Sequence, residues 1–477
     1  MSLVKEAVRA SFWSSLTEVV LKLISPLVFL ILTRILLPED FGIVAIATNL
    51  LSFIYIIADL GLSKVIIQFK GDNYECNKVY NVAFYTNLCI GLILFCFVFF
   101  GSDYIANLYN QHEASDVIKL MSLQIIFFSF SSVQNAIKRK QLEFKFLFYT
   151  RLVTVVIPAC ISIPFAFSGY GYWAIVYGST SGALLASIVT WIFTDWKPSF
   201  FWCNKVFIKL LGKSVWSSLE QLLVWLPMFL DTFLISNYLS KTELGFFTTS
   251  KTLFTTVMGV SLAAIIPVLY STLSKISVND KVSYLNTLMI VQKLIFIIAA
   301  FCGVGVFMFR NEVESIFFTE KWHGINIIIG LMFLIMSFEY FFSVLTEGLR
   351  ARGYFREISI NTFIAIFLTT ITLIFSIRYG LITYVIVRSL SLYYYLPGLL
   401  YLSKKKLGLK TVELIKNNFF VFALSFSLIV IILGLEYCIE SIVNIFVIKV
   451  VIYLLFVSMI LFRERLLIKF LKNKIKR

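Results

Sequence analysis

Long apolar stretches separated by short polar segments follow one another along the chain from residue 11 to residue 462. Each has about 20 residues, the length at which an α-helix crosses a hydrocarbon core of roughly 30 Å. The pattern predicts fourteen membrane spans: 11–33, 42–66, 79–100, 118–136, 147–167, 172–194, 213–237, 245–270, 284–309, 324–346, 357–377, 380–402, 418–435 and 441–462. Turn residues mark several span ends, as in Leu37-Pro38-Glu39-Asp40 after the first.

The amino-acid composition strengthens this interpretation. Of the 477 residues, 59% are hydrophobic and 14% are charged, and the mean hydropathy is +0.90. Soluble proteins are nearer to about 45–50% apolar and about 25% charged. The apolar excess is too large for soluble cores, and no polar linker interrupts the spans. The sequence therefore predicts an all-α polytopic membrane protein and excludes a soluble enzyme.

The distribution of charge predicts the orientation in the membrane. With the N-terminus in the cytoplasm, the cytoplasmic segments hold 30 basic and 9 acidic residues, and the opposite segments hold 6 and 11. This asymmetry is the positive-inside pattern, which predicts that both termini are cytoplasmic. The net charge of +16 then reflects topology and contact of the basic tail, Arg463 to Arg477, with anionic membrane lipids. Nucleic acid is not an expected partner.

The metal-binding residue types give no site. The chain has seven cysteines and two histidines, and no pair of them has metal-ligand spacing. Cysteines inside spans behave as small apolar residues. We therefore expect no metal and no cofactor.

The chain contains an internal repeat. Ser-Phe-Trp-Ser-Ser-Leu at residues 11–16 matches Ser-Val-Trp-Ser-Ser-Leu at residues 214–219, an offset of 203. At the same offset, Asp40-Phe41-Gly42 matches Glu243-Leu244-Gly245. Six spans separate the copies, so both halves have the same orientation, as in parallel-repeat transporters. We predict two parallel six-helix bundles, at 1–200 and 201–403, and a segment 404–477 with two further helices and the basic tail.

Polar side chains recur every three or four residues in several spans and so occupy one helical face. Three basic residues, Lys22, Lys251 and Arg388, lie on such faces. A charge deep in the bilayer is costly unless it faces water or a partner. We therefore predict that these three residues line a solvated cationic cavity that binds the substrate.

Acidic residues within the spans are candidates for ion coupling. They are Glu18, Asp59, Glu220, Asp231 and Glu339. Structural roles stay open, since Glu18 can pair with Lys22 at i,i+4 and the aspartates and Glu220 can hydrogen-bond between helices. Four further charged residues lie near enough to a span end to reach the interface, and we assign them no role: Arg151, Lys293, Glu347 and Lys449.

The loops favour a transporter over an enzyme. Every loop on the non-cytoplasmic side is short, and the longest runs from Gly101 to Val117. No loop carries a paired catalytic carboxylate, a metal cluster or a nucleophile motif. A membrane-embedded enzyme is the second class considered, and nothing in these loops supports it.

A sequence motif near the N-terminus resembles a known family. The run from Leu32 to Gly42, Leu-Thr-Arg-Ile-Leu-Leu-Pro-Glu-Asp-Phe-Gly, is followed by Ala58-Asp59-Leu60-Gly61-Leu62-Ser63 and by Gln68. It resembles the start of the polysaccharide transporter family, the Wzx-type flippases of O-antigen and related glycans. These belong to the multidrug/oligosaccharidyl-lipid/polysaccharide superfamily, whose fold is two six-helix bundles, often with two extra helices.

The resemblance implies a function. It implies that an undecaprenyl-diphosphate-linked oligosaccharide moves from the cytoplasmic to the periplasmic leaflet of a bacterial inner membrane. Lys22, Lys251 and Arg388 would hold the diphosphate, and Ser, Thr, Asn and Tyr side chains would hydrogen-bond the sugars. No nucleotide-binding loop is present, so an H⁺, Na⁺ or substrate gradient would drive transport. Other polysaccharide assembly proteins are the implied partners.

Two other transporter functions stay open at this point. The first is a small-cation or drug antiporter of the same superfamily, against which the deep basic residues weigh. The second is a flippase for a peptidoglycan precursor, which the sequence does not distinguish from a flippase for other lipid-linked glycans.

Overall fold

The computed structural model describes residues 3–69, 71–262, 280–438 and 442–464, with Ile265, Leu273 and Ile276 between them. This part of the chain is helical and contains no β-strand. Its α-helices are α1 Leu3–Ile35, α2 Pro38–Asp59, α3 Leu62–Gln68, α4 Asn73–Leu108, α5 Ala114–Lys140, α6 Phe144–Phe167, α7 Tyr172–Phe193, α8 Asn204–Tyr238, α9 Lys241–Leu262, α10 Lys281–Met308, α11 Arg310–Phe317, α12 Ile325–Ser337, α13 Tyr340–Ala351, α14 Phe355–Ser376, α15 Leu381–Ser391, α16 Leu396–Leu402, α17 Thr411–Cys438 and α18 Ile442–Arg463.

Helices form over the apolar stretches because a helix satisfies its backbone polar groups internally, as hydrocarbon requires. Each of the fourteen predicted spans overlaps a described helix. By length and hydropathy, ten helices in the described ranges can cross a membrane, or eleven if a bent pair is counted as one span. The chain is thus an all-α protein with about ten or eleven membrane-crossing helices, and the full count of fourteen stays a prediction.

Three predicted spans are interrupted in the structure, which corrects the expectation of continuous helices. The second span breaks after α2, where Leu60 and Gly61 adopt left-handed backbone with φ of 44° and 70°. The tenth divides into α12 and α13, bent by 43°. The twelfth stays one membrane-crossing unit, Leu381–Leu407, although turn residues between Ser391 and Leu396 separate α15 from α16. Apolar length alone does not reveal a break, because both half-helices remain apolar.

The chain divides into two compact units, Met1–Thr249 with Phe318–Trp322 and Ser250–Phe317 with His323–Arg477. In the first unit, α6 packs along α7, α4 along α5, and α1 along α6. Buried apolar side chains of α3, α4 and α5, among them Ile66, Val82 and Val133, form its core toward the predicted cytoplasmic end. The predicted divisions at residues 200 and 403 stay predictions.

In the second unit, α10 packs against α12, α13 and α17. The Nδ2 of Asn418 on α17 donates to Gln292 Oε1 on α10 over 2.9 Å. Lys293, also on α10, pairs with Glu464 at the end of α18 over 2.7 Å. Polar contacts therefore attach the last two helices to α10.

A second group of charges attaches the other end of the same helices. The Lys449 ammonium of α18 lies 3.2 Å from Glu312 and 3.1 Å from Glu436, and Arg310 pairs with Glu436. Lys449 is 2% exposed. The expectation that Lys449 extends to the membrane interface is therefore wrong, because acidic partners from neighbouring helices hold it inside the protein.

Within the first unit, residues related by the offset of 203 contact one another. The Oγ1 of Thr242 donates to Glu39 Oε1 over 2.6 Å. A Cβ added at Gly42 would lie 2.6 Å from the Lys241 carbonyl oxygen, and one added at Gly245 would overlap the Pro38 carbonyl. Gly42 contacts Lys241 and Gly245 contacts Pro38, so each glycine contacts the same position in the other copy of the repeat. This reciprocal pattern is that of a two-fold contact.

Candidate functional site

The first unit contains a polar cavity of about 520 Å³. Helices α2, α5, α6 and α7 form its walls, and α8 adds Gln221. Its size lies within the range of about 300–1,000 Å³ typical of ligand sites. The cavity lies toward the end of these helices that the charge pattern predicts to be cytoplasmic.

The lining follows from helical periodicity. On α5, Gln124, Ser131, Asn135 and Arg139 recur at intervals of seven, four and four residues, so they share one face. The other walls repeat this pattern of three- and four-residue steps: Tyr55, Asp59 and Ser63 on α2 and its continuation; Leu147, Thr150, Arg151 and Thr154 on α6; Ala183, Ala186, Ser187 and Thr190 on α7. Four amphipathic helices therefore turn their polar faces inward and their apolar faces to lipid or to each other.

Three basic side chains line this cavity, namely Lys64, Arg139 and Arg151. Arg139 interacts electrostatically with Arg151, a repulsive contact, and with Asp59, an attractive one. Among the described lining residues, these basic side chains outnumber the carboxylate of Asp59. Two guanidinium groups lie at one end of a polar cavity. Each is a planar group of N–H donors that suits phosphate or carboxylate oxygens.

Asp59 lies within a hydrogen-bond network of the wall. Its Oδ1 accepts hydrogen bonds from Ser63 over 2.5 Å and from Ser132 over 3.1 Å. Asn87 of α4 in turn donates to Ser132 over 3.2 Å. The predicted candidate Asp59 therefore lies at the cavity, where its charge partly offsets the arginines and its oxygen joins α2 to α5.

The deeper part of the wall is polar and uncharged. The Tyr55 hydroxyl donates to Gln124 Oε1 over 3.3 Å, and Gln124 Nε2 donates to Ser179 over 3.3 Å and Thr180 over 3.1 Å of α7. The Tyr55 ring also packs on Phe128, with centroids 4.7 Å apart. Amides, hydroxyls and aromatic rings are groups that hydrogen-bond and stack on sugars.

Of the predicted cationic residues, Lys251 and Arg388 do not belong to the described lining. The side chain of Lys22 lies outside the described residues. Lys251, partly buried on α9, and Arg388, buried on α15, belong to the second unit, where both take part in interactions. Their role in binding substrate stays a prediction.

The acidic candidates are distributed over both units. The side chains of Glu18 and Glu220 lie outside the described residues. Asp231 is buried on α8 of the first unit, beside Thr232, which accepts a hydrogen bond from Asn49 of α2 over 2.7 Å. Glu339 lies at the break between α12 and α13 in the second unit.

Sequence reasoning missed the two arginines of the cavity. Arg139 was counted only as a topology charge, and Arg151 was assigned no role because it lies near a span end. A signal was present in the fourth predicted span, which has an unusually polar face of Ser, Gln and Asn leading to Arg139. That face predicts an aqueous wall, and a basic residue at its end belongs to the same wall.

The motif residue Asp40 has a structural role. Its Oδ2 accepts from the backbone N–H of Leu37 over 2.8 Å, which caps the start of α2. Its Oδ1 accepts from the N–H of Tyr172 over 2.8 Å, at the start of α7. One carboxylate thus joins the first turns of two helices on the predicted outer side.

Residues 31–327, more than half of the chain, match the model of a family described as "Polysaccharide biosynthesis protein". The succinoglycan biosynthesis transport protein ExoT of Rhizobium meliloti (strain 1021) is 23% identical over 305 residues, which are 64% of this chain and 61% of that protein. The lipopolysaccharide biosynthesis protein WzxC of Escherichia coli (strain K12) is 20% identical over 343 residues, 70% of this chain and 68% of that protein. The chain thus spans about three fifths of the length of ExoT.

Solved structures show the same fold. The lipid II flippase MurJ, in an inward closed conformation, has a TM-score of 0.72 and 17% identity, covering 96% of this chain and 99% of that one. An inward-facing multidrug resistance MATE family transporter of the MOP superfamily has a TM-score of 0.63 and 14% identity, covering 83% and 98%. At these identities the likeness concerns the fold alone.

Proposed function

This chain belongs to the polysaccharide biosynthesis protein family, and from that premise we propose that it is a flippase for lipid-linked oligosaccharide. The substrate is an undecaprenyl-diphosphate-linked repeat unit, O-antigen-like in chemistry. It moves from the cytoplasmic to the periplasmic leaflet of a bacterial inner membrane, with both termini of the chain in the cytoplasm. The protein is a membrane transporter and not an enzyme, in keeping with the transporters among its relatives and structural neighbours.

The observation that carries the proposal is the cavity in the first unit. A basic end with Lys64, Arg139 and Arg151 is joined to a wall of hydroxyl and amide groups, which suits a molecule that is anionic at one end and polar along the rest. A diphosphate-linked glycan has this combination. The cavity also lies toward the predicted cytoplasmic side, where the substrate is loaded.

The chemistry assigns a part to each region. Arg139 and Arg151 grip diphosphate oxygens through charge-assisted hydrogen bonds. Tyr55, Gln124 and neighbouring hydroxyls bind the sugars. The apolar prenyl chain stays in lipid, so only the polar head group crosses within the protein. Lys22, Lys251 and Arg388 are proposed as further phosphate contacts along the path.

Transport proceeds by alternating access, and an ion gradient drives it. H⁺ or Na⁺ is the coupling ion, and the candidate sites are Glu18, Asp59, Glu220, Asp231 and Glu339. Membrane lipids surround the chain, and other polysaccharide assembly proteins supply and receive the glycan.

A small-cation or drug antiporter is the alternative with support in the fold, since a MATE transporter shares it. A cation site requires an acidic lining, whereas the described lining of this cavity has more basic than acidic side chains. A peptidoglycan-precursor flippase shares the diphosphate chemistry and differs only in the sugars, so the same cavity serves either.

Deletion of the gene in its own host, with measurement of surface polysaccharide and of lipid-linked intermediates inside the cell, tests the proposal. The Arg139→Gln/Arg151→Gln variant is expected to lower surface glycan about tenfold or more, since a charged hydrogen bond contributes about 1.5–3 kcal/mol. Arg→Lys changes should cost less, because they keep the charge and lose only bidentate geometry.

Lys119→Gln is the matched control, because Lys119 lies on α5 and pairs with Asp103 away from the cavity. It should restore surface glycan as the wild type does, at equal membrane abundance. Full restoration by the double Gln variant would contradict a phosphate site at the arginines. A deletion that leaves both surface glycan and intermediates unchanged would contradict the flippase function itself.

A further inference from the structure

A bent helix and a helix that contains a turn segment meet inside the second unit. The tenth predicted span is interrupted between Ser337 and Tyr340, and the twelfth between Ser391 and Leu396. Broken spans are where transporters place ion sites, because interrupted helices expose polar backbone within the membrane. The feature of interest is the side chain that lies at the first break.

Glu339 is that side chain, and it links both breaks. The Tyr395 hydroxyl, from the break of the twelfth span, donates to Glu339 Oε1 over 2.8 Å. Tyr393 of the same break donates to the Ile335 carbonyl on α12 over 2.5 Å. Asn361 of α14 donates to the Tyr395 carbonyl over 2.7 Å. Three helical spans are thus joined around one carboxyl group.

The surroundings of this carboxyl group are aromatic. Phe338, the neighbouring residue, packs against Phe296 of α10 at 5.8 Å and stacks on Phe422 of α17 at 6.0 Å. Tyr340, the next residue along, packs against Phe254 of α9 at 6.4 Å. The break is therefore enclosed by rings from three further helices, and hydrocarbon-like surroundings make an isolated carboxylate costly.

Three tyrosines interact with Glu339, and several charged residues of the neighbouring helices pair with one another. The titratable groups that face it are Tyr340, Tyr393 and Tyr395. Of the charged residues on the neighbouring helices, Lys293 pairs with Glu464, Glu357 with Lys406 and Glu347 with Arg350. On α17, Glu413 pairs with Lys410 and Glu436 with Arg310, and Lys416 is exposed. Arg356 is exposed, and Lys251 and Arg388 take part in interactions as well.

We propose that Glu339 is a proton-binding site that controls the bend between α12 and α13. As a carboxylate it accepts a charge-assisted hydrogen bond from Tyr395 and holds the breaks together. A proton neutralises the carboxyl group, weakens that hydrogen bond and lets α16 move relative to α13. A proton is the ligand proposed, because the described side-chain partner of Glu339 is a single phenol.

This inference rests on the proposed transport function for its purpose, and its test does not require the substrate. Infrared difference spectra of the full-length protein in liposomes, recorded after a pH jump, report protonation of individual carboxyl groups. The wild type should show a carboxylic acid band that Glu339→Gln removes. Glutamine keeps an oxygen that accepts from Tyr395, so the fold should survive the change.

Glu347→Gln is the matched control, since Glu347 lies two turns along the same helix and pairs with Arg350 over 2.8 Å. It should leave the band unchanged. Tyr395→Phe should keep the band and shift its frequency, because the proton site remains and its hydrogen-bond partner is lost. Glu339→Asp provides a second titratable variant if the glutamine variant folds poorly, and its band should move rather than vanish.

The opposite results are equally clear. A band that persists in Glu339→Gln would overturn the proposal, as would a Glu339-dependent signal that follows a Na⁺ jump at constant pH. In cells, Glu339→Gln should lower surface glycan about tenfold or more while the control does not. If the wild type fails to export glycan although the band behaves as expected, the flippase function fails and the proton site stands.

Discussion

Asp59 is a residue whose charge and hydrogen bonds have separate consequences. Its Oδ1 accepts from Ser63 and Ser132, which joins the end of α2 to α5. Its charge also attracts Arg139, which Arg151 repels. The carboxylate therefore joins two helices of the wall and partly offsets the charge of Arg139.

Replacement of Asp59 by Ala should destabilise the protein by about 1–3 kcal/mol, because two hydroxyls lose their acceptor and the arginines lose their counter-charge. Asp59→Asn keeps an acceptor and should cost less. Thermal unfolding of the purified protein in detergent measures both. Asp116→Ala, at an exposed aspartate on the first turn of α5, is the control and should change stability by less than about 0.5 kcal/mol. Equal unfolding of Asp59→Ala and the control would show that the network contributes nothing.

At the residue scale, the sequence indicates which charged residues need an explanation better than it indicates their roles. Asp59 was a candidate because an acid within a span demands an explanation, and the structure places it at the cavity. Arg151 was discounted because its distance from the span end allowed it to reach the interface. Which way a charge near a helix end points depends on the neighbouring helix, and one sequence does not specify that neighbour.

At the scale of helices, the last two spans are fixed by buried charges. Lys449 on α18 contacts Glu312 and Glu436, and Arg310 shares Glu436. Ion pairs in low-dielectric surroundings are sensitive to removal of one partner, because the other remains charged and buried. These contacts thus specify where α17 and α18 attach to α10 and α11.

Lys449→Met should destabilise the protein by about 3–5 kcal/mol, since Glu312 loses its cation. Addition of Glu312→Gln should recover part of that loss, because no uncompensated carboxylate then remains. Lys410→Met is the control, as Lys410 forms an exposed i,i+3 pair with Glu413 and should cost at most about 1 kcal/mol. Thermal unfolding in detergent gives the four values, and a double variant less stable than Lys449→Met alone would contradict a compensating pair.

The helices themselves were predictable because about 20 apolar residues in a row leave few alternatives in a membrane. All fourteen predicted spans fall on described helices. The breaks at Leu60–Gly61, Glu339 and Leu392–Tyr395 were not predicted. Contacts that stabilise a break, such as Tyr395 to Glu339, join segments far apart in the chain, so they cannot be read from the local sequence.

At the scale of the whole molecule, the two copies of the internal repeat contact each other at corresponding residues. The starts of α2 and α9 meet through Gly42 and Gly245, where neither position has space for a side chain. Trp322, which is fully buried, packs on Phe41 and Phe246 and donates its indole N–H to the Leu36 carbonyl. All these residues belong to the first unit and lie on the predicted outer side. The cavity, by contrast, lies toward the predicted cytoplasmic side, so the proposed cycle has to separate α2 from α9 to release the glycan outward.

A covalent link at this contact should therefore stop transport. Glu39 and Thr242 are 2.6 Å apart at their side-chain oxygens, so Glu39→Cys/Thr242→Cys, in a chain whose native cysteines are replaced, should cross-link on oxidation or with a short thiol reagent. Surface glycan should fall to the level of the deletion strain and recover after reduction, because the link prevents separation of the repeats.

The control is Asp103→Cys/Lys119→Cys, which joins α4 to α5 within one bundle, where the native ion pair spans 3.3 Å. This link lies on the same predicted outer side and constrains helices that the proposed cycle moves together, so glycan export should continue after oxidation. The Glu39 and Thr242 single-cysteine variants separate the effect of the link from that of each substitution. Undiminished export by the fully cross-linked Glu39→Cys/Thr242→Cys protein would mean that the glycan leaves without separation of α2 from α9, and the outward step would then need a different path.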